Sequence, residues 1–161
     1  MRKMSRTFGV SVLLMLAGFG IAVWATEKPP KDFQDLMKSN GSIIDITLGT
    51  VGNNTGGSGG TEPASLRAHI RAKDYDGIAK DAATLRANFT KIEAFWVARK
   101  VEDAINFSKA ALKASVDLET AAKAKDDPGV SANASAVAAT CRSCHQAHRI
   151  MQLVDRTFEI M

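Results

Sequence analysis

Three side chains near the carboxyl end have the types and the spacing to hold an iron porphyrin. Cys141, Cys144 and His145 form a Cys-x-x-Cys-His run, which is the attachment sequence for a c-type haem. On a helix, residues three and four apart share one face. The two thiols can then add to the vinyl groups of one porphyrin edge, while the imidazole binds the iron. The motif predicts one covalently bound haem c per chain, with His145 as the proximal iron ligand.

Two other chemistries use cysteines at this spacing. A thioredoxin-like dithiol belongs next to a βαβ pattern, and no segment with the period of a strand precedes Cys141. A zinc ion could draw on Cys141, Cys144, His145 and His148, but structural zinc usually takes its ligand pairs from separate segments. The dithiol and zinc interpretations stay open as alternatives to haem.

The amino terminus predicts export. Arg2, Lys3 and Arg6 precede an apolar run over 8–24, and the residues at 23 and 25 are small. This is the pattern of a secretory signal peptide over 1–25 with cleavage before Thr26. An uncleaved anchor is the second choice, because the apolar run is short for a membrane-spanning helix. Covalent haem attachment in bacteria takes place outside the cytoplasmic membrane, so the predicted location is the periplasm.

The net charge of the mature chain argues against two classes of partner, nucleic acids and anionic membranes. Three of the 21 Lys and Arg residues lie in the predicted signal, so 18 remain against 17 Asp and Glu. Nucleic acids and anionic membranes call for a basic excess or a basic stripe. The nearly neutral mature chain therefore predicts no nucleic-acid partner and no stable membrane insertion after signal cleavage.

The mature chain has the size of one domain. Removing the signal from the 161-residue chain leaves 136 residues, enough for a single modest core. Its apolar residues recur at helical spacing and the chain has only four prolines, so the pattern predicts an all-α fold. The predicted domains are the signal over 1–25 and one haem-binding domain over 26–161.

The helices that must position the motif can be placed from periodicity and caps. The first runs over about 31–48, and a Gly-rich loop follows over 49–60. A short helix over 61–73 has Thr61 as its predicted cap. The stripe of the first helix consists of Phe33, Met37, Ile44 and Leu48.

Three longer helices follow in the prediction. The second starts at its cap Asp74 and runs to about 96, and the third covers about 101–125. The fourth starts at Pro128 with Asp127 as its cap and runs to about 153. Its core-facing stripe consists of Val130, Ala134, Val137, Cys141, Cys144 and His148. Four such helices with short connections predict an antiparallel four-helix bundle, with the haem between the first and fourth helices.

The sequence resembles the class II c-type cytochromes, the cytochrome c-prime family and its low-spin, Met-ligated relatives. The likeness lies in the run from Cys141 to Arg149, in Leu36-Met37-Lys38-Ser39-Asn40-Gly41, and in the stretch 74–96. Family members carry the haem motif near the end of a four-helix bundle, with a basic residue four places after its histidine. The resemblance implies that Arg149 belongs to the haem environment.

The resemblance to the low-spin members implies that Met37 is the distal iron ligand. His/Met ligation raises the reduction potential of a haem, which implies a carrier of single electrons and not an enzyme. Redox proteins of the periplasm would be its partners, and the family also forms homodimers. Two departures stand out: Phe33 occupies a position that is basic in the family, and the Gly-rich loop is an insertion.

The main alternative is an iron that Met37 does not ligate. Methionine on an apolar stripe often only fills a core, and an alignment shifted by a heptad would put Ile44 over the iron. The iron would then be five-coordinate and could bind small gases such as NO or CO in a pocket lined by Phe33 and Ile44. Of the remaining histidines, His148 is predicted to pack near the haem edge and His69 to lie at the surface.

Overall fold

A computed structural model describes residues 26–44, 65–152 and 157–161. The predicted signal over 1–25, the Gly-rich loop over 49–60, Leu48 and the predicted cap Thr61 lie outside the described residues. Apart from one short hairpin, the regular structure of the described residues is helical, so the all-α prediction is confirmed. No helix in this part of the chain combines the length and the apolar character needed to cross a membrane.

Five helices and two strands make up the described structure. They are α1 (Lys31–Ile44), α2 (Leu66–Ala72), α3 (Tyr75–Arg99), α4 (Glu102–Lys123), α5 (Asp127–His148), β1 (Arg149–Met151) and β2 (Phe158–Ile160).

Short polar side chains mark where several helices begin. The Asp74 carboxylate accepts a hydrogen bond of 3.0 Å from the backbone N–H of Gly77, so the predicted cap of α3 is confirmed. The short helix α2 is capped by Ser65, whose hydroxyl accepts a backbone N–H three residues on. The cap of α5 is Asp126, and the predicted cap Asp127 is instead the first helical residue.

The core lies where α3, α4 and α5 pack as two consecutive helical hairpins. The predicted stripe of α3 is buried from Ile78 to Trp96, with Tyr75 half-buried at its start. Because α4 contributes mainly alanines to the core, its neighbours can approach it closely. The α4 and α5 core residues are Ala104, Ile105, Ala111, Ala114, Leu118, Ala121, Ala122, Val130 and Val137.

Helix α1 packs on α3 through an aromatic cluster. The Phe33 ring stacks on Phe95 with a centroid separation of 3.9 Å and meets Trp96 edge-on at 5.7 Å. Aromatic pairs at these separations bury a large apolar area and hold a defined relative orientation. The cluster thereby fixes where α1 lies relative to the other helices.

The last helix is shorter than the sequence indicates. We predict α5 to continue to about 153, but it ends at His148 and the chain enters β1, which pairs antiparallel with β2. Ile160 of β2 also exchanges two backbone hydrogen bonds with Glu27, at 2.9 and 3.0 Å. The prediction was wrong because these pairings join segments distant along the chain, and the β-branched Ile150 and Ile160 suit strands.

Candidate haem site

One cavity of about 440 Å³ lies between α1 and α5, with α3 and α4 behind it. Its volume falls within the roughly 300–1,000 Å³ typical of pockets for cofactors and other small molecules. The structure brings together here all the site residues that the sequence predicts. They are Met37 of α1, Cys141, Cys144 and His145 of α5, and Arg149 of β1.

The cavity walls are mostly apolar. Side chains from three helices supply rings and branched aliphatic groups, as a pocket for a flat, largely apolar group requires. Polar side chains from α1 and from the chain segment before it also reach the lining, and they include Lys28, Gln34 and Lys38. The apolar lining residues include Phe33, Ile44, Phe89, Ile92, Phe107, Ala111 and Ile160.

The two thiols lie one helical turn apart in α5, and both are half-buried. Burial raises the pKa of the Cys141 thiol to about 11. Burial, with a further contribution from the nearby Cys141 and Asp103, raises the pKa of Cys144 to about 12. Redox-active cysteines instead have lowered pKa values, because they act as thiolates. The thiol environment therefore argues against the dithiol interpretation.

The raised pKa values predict slow alkylation of the folded, haem-free protein. Because only the thiolate reacts, moving a thiol pKa from 9.0 to about 11 should slow its labelling at pH 8 by roughly 100-fold. Labelling by iodoacetamide, followed by mass spectrometry, measures the rate, and the urea-unfolded chain is the control. Equal rates in the folded and unfolded chains would contradict this account of the thiols.

The imidazole of His145 is available to a metal. Burial, and secondarily the positive charge of Arg149, lowers its pKa, so the ring is neutral at neutral pH and keeps a lone pair. Its buried Nδ1 has no hydrogen-bond partner among the described residues. Among the described residues, therefore, no hydrogen bond to Nδ1 fixes the orientation of the ring.

Arg149 carries a partly buried positive charge at the cavity. Its guanidinium lies 3.3 Å from the ring centroid of Phe158, and burial lowers its pKa. Within the described ranges no carboxylate forms an ion pair with it. The charge is thus available to an anionic group of a molecule bound in the cavity.

Met37 lines the cavity from α1, half-buried and packed against the core. Phe33 and Ile44, one and two turns away, are buried and line the same wall. The α1 wall therefore offers one thioether donor between two apolar side chains. A thioether is a soft, neutral ligand that suits haem iron.

His148 also lines the cavity, but its ring is engaged elsewhere. Nδ1 lies 3.2 Å from the backbone oxygen of Met161, and Nε2 lies 3.0 Å from a carboxylate oxygen of Asp103. The ring packs near Trp96, with a centroid separation of 5.3 Å. These contacts agree with the packing role predicted for His148 and leave neither nitrogen free for iron or zinc.

His69 lies on α2, far along the chain from the motif. Its side chain is only 17% exposed, and Nδ1 lies 2.9 Å from a carboxylate oxygen of Asp81. The ring is therefore half-buried where α2 packs on α3, and less exposed than the predicted surface position. Across the described ranges, no three His, Cys, Asp or Glu side chains form a group that could hold a metal ion.

Sequence reasoning missed two polar residues of the cavity wall. Asn40 Nδ2 and Trp96 Nε1 are buried and have no hydrogen-bond partner among the described residues, and both residues line the cavity. A signal for Asn40 existed, since it continues the α1 stripe three residues after Met37. A polar residue at a position that otherwise demands an apolar one is a candidate for function.

Comparison with protein-family models gave no match for this chain, and neither curated proteins nor solved structures match it. The fit of the cavity to a haem therefore depends on its own chemistry. Two protonated thiols, a neutral imidazole and a guanidinium that has no ion-pair partner among the described residues surround an apolar space of suitable size. Three of the residues that line it each have a buried polar atom without a hydrogen-bond partner among the described residues: Asn40 Nδ2, Trp96 Nε1 and His145 Nδ1. The residues present fit a covalently bound haem.

Proposed function

We propose that this chain is a periplasmic monohaem c-type cytochrome that carries single electrons. One haem c would be held covalently by Cys141 and Cys144, with His145 and Met37 as its iron ligands. The main support for this proposal is that the Cys-x-x-Cys-His motif on α5 and the thioether of Met37 on α1 line the same apolar cavity. The resemblance to the class II c-type cytochromes supports it.

The proposed architecture is an antiparallel four-helix bundle of α1, α3, α4 and α5, with haem between α1 and α5. The short connections between the three long helices support antiparallel packing of those helices. The signal over 1–25 would direct the chain to the periplasm before the haem is attached.

The haem supplies one-electron chemistry at its iron, and the protein tunes that chemistry. His145 presents a neutral imidazole, and Met37 presents a neutral thioether, a pairing that favours a raised potential. The apolar walls exclude water, and the charge of Arg149 is free to meet a propionate. No side chain is required to move a proton, so we propose a carrier and not an enzyme.

Redox proteins of the periplasm would be the partners of such a carrier. Phe158 both lines the cavity and is 39% exposed, so the hairpin is where the cavity wall meets solvent. The nearly neutral mature chain argues that any electrostatic docking uses a local patch. A homodimer, as the resemblance implies, is a further proposal.

A gas-binding haem protein is the second candidate. It is favoured by one observation: Phe33 and Ile44, which are 4% and 8% exposed, line the cavity beside Met37. If α1 presents these side chains to the iron, the sixth position is open and apolar. Such a site would admit NO or CO, and α1 would supply no ligand to the iron.

A redox titration of the exported holoprotein tests the proposed function. A haem carrier should follow a one-electron Nernst curve, in which the ratio of oxidised to reduced protein changes tenfold per 59 mV. The potential is set with mediators and the haem bands are recorded at each step. An exported chain that shows no haem bands, and whose Cys141 and Cys144 instead titrate as a dithiol with the two-electron slope of about 30 mV per tenfold in a thiol-labelling assay, would contradict the proposal.

A further inference from the structure

Asn40 is one of the α1 residues that line the cavity, and its side chain ends in an amide. It is 4% exposed and lies three residues after Met37, one turn along the same helix face. Ile44 follows one turn later. Among the residues of α1 that reach the cavity, the deeply buried amide thus lies between the thioether and the apolar end of the wall.

A neighbouring amide fixes the orientation of Asn40. Asn88 of α3 uses its Nδ2 to donate to Asn40 Oδ1 at 2.8 Å and to the Ser39 hydroxyl at 3.0 Å. The Oδ1 of Asn40 is therefore occupied, and its Nδ2 must find an acceptor elsewhere. Asn88 is itself buried, so the pair is rigidly packed and cannot turn freely.

No acceptor for Asn40 Nδ2 exists among the described residues. A buried hydrogen-bond donor without an acceptor lowers the stability of the folded protein, and such donors are uncommon in native structures. The three buried side-chain atoms of the described residues that share this condition, in Asn40, Trp96 and His145, all belong to residues lining the same cavity. Their common location indicates that the missing partners arrive with the molecule that fills the cavity.

We propose that Asn40 Nδ2 donates a hydrogen bond to the atom bound at the sixth position of the haem iron. This inference rests on the proposed function. The acceptor is either the sulfur of Met37 or a small diatomic ligand such as NO. In both cases the chemistry is the same: an electron-rich atom on iron meets an N–H that Asn88 holds in place, so little reorganisation is needed.

Asn40 would be a positioning residue, because it acts through the ligand and not on the iron itself. The test compares three holoproteins: the wild type, Asn40→Leu, which keeps the side-chain shape but lacks the donor, and Asn106→Leu. Asn106 is exposed on α4 and absent from the cavity lining, so it is the matched control.

The readouts separate the two possible acceptors. In a Met-ligated wild type, Asn40→Leu should shift the Met-to-iron charge-transfer band and let CO replace Met37 about ten times faster, as expected for one lost hydrogen bond. In a wild type with an open sixth position, NO should dissociate about ten times faster from Asn40→Leu. Asn106→Leu should match the wild type in either case.

A measurement on the wild type does not depend on the variant folding. In the ferrous holoprotein with labelled asparagine, the side-chain amide resonance of Asn40 should exchange slowly with solvent. It should also move once prolonged exposure to CO has replaced the sixth ligand, as the ferrous absorption spectrum shows. An amide resonance that is indifferent to the sixth ligand would overturn the inference.

Different results would overturn the role of Asn40 and the proposed function. A haem protein in which Asn40→Leu keeps the wild-type band and rates overturns the role of Asn40 alone. A wild-type chain that carries no haem overturns the proposed function, and the role of Asn40 with it.

Discussion

Replacing Cys141 and Cys144 together with serine is expected to abolish covalent haem binding. Thioether bonds survive denaturation, whereas a haem held only by His145 is released when the protein unfolds. The exported double variant should lose all its haem to acidified organic solvent, and the wild type should keep its haem on the chain. Haem-stained gels and the intact mass of the polypeptide measure the difference.

Ser143→Ala is the matched control for the double variant. Ser143 lies between the two cysteines, is exposed and does not line the cavity, so its replacement should leave the haem attached. Single replacement of Cys141 or Cys144 should retain one thioether bond. A wild type that releases its haem, or a double variant that keeps it covalently, would show that these thiols are not the attachment points.

Replacing Met37 with leucine is expected to open the iron and lower its potential. Leucine matches methionine closely in volume, a swap that usually costs less than about 1.5 kcal/mol of stability, but it has no sulfur to bind iron. The potential should fall by about 0.2 V, a fraction of the roughly 0.8 V that axial ligands span. The variant should also bind CO at one molecule per haem, as measured by optical titration.

Met151→Leu is the matched control for Met37→Leu. Met151 lies in β1, is 53% exposed and is absent from the cavity lining, so this replacement should change neither the potential nor CO binding. If Met37→Leu has the spectrum and potential of the wild type, Met37 only fills the core. The shifted alignment with Ile44 over the iron would then become the better hypothesis.

The sequence predicts most of the helical structure, because helices depend on local signals. The apolar stripe of α3 and its cap Asp74 are visible in the chain and are found in the structure. The grouping of Cys141, Cys144 and His145 follows from helical spacing alone. Features that depend on one element and a few neighbouring residues could therefore be predicted.

The features that could not be predicted join segments far apart in the chain. Asn40 and Asn88 are 48 residues apart, and Asp103 and His148 are 45 apart, so neither pair leaves a local pattern. The end of α5 at His148 depends on pairing with β2 and, through Ile160, on Glu27. Tertiary hydrogen bonds decided these points over the helical tendency of the local sequence.

The cavity itself was only partly predictable. Met37 and the motif were assigned to facing helices from periodicity, but the ring of Phe107 and the indole N–H of Trp96 were not recognised as part of the wall. Trp96 was treated as a core residue, which its 2% exposure bears out. That a core residue also faces a cavity depends on how α1 and α5 are spaced, and periodicity carries no information about that distance.

The most direct test of the account is the absorption spectrum of the exported holoprotein, ferric and ferrous, with and without CO. We predict a six-coordinate, low-spin c-type spectrum, with a Met-to-iron charge-transfer band in the ferric protein and a ferrous spectrum that CO changes only slowly. A high-spin spectrum that CO converts completely would contradict ligation by Met37 and favour the gas-binding candidate. A spectrum without haem bands would contradict the central claim that Cys141, Cys144 and His145 hold a haem.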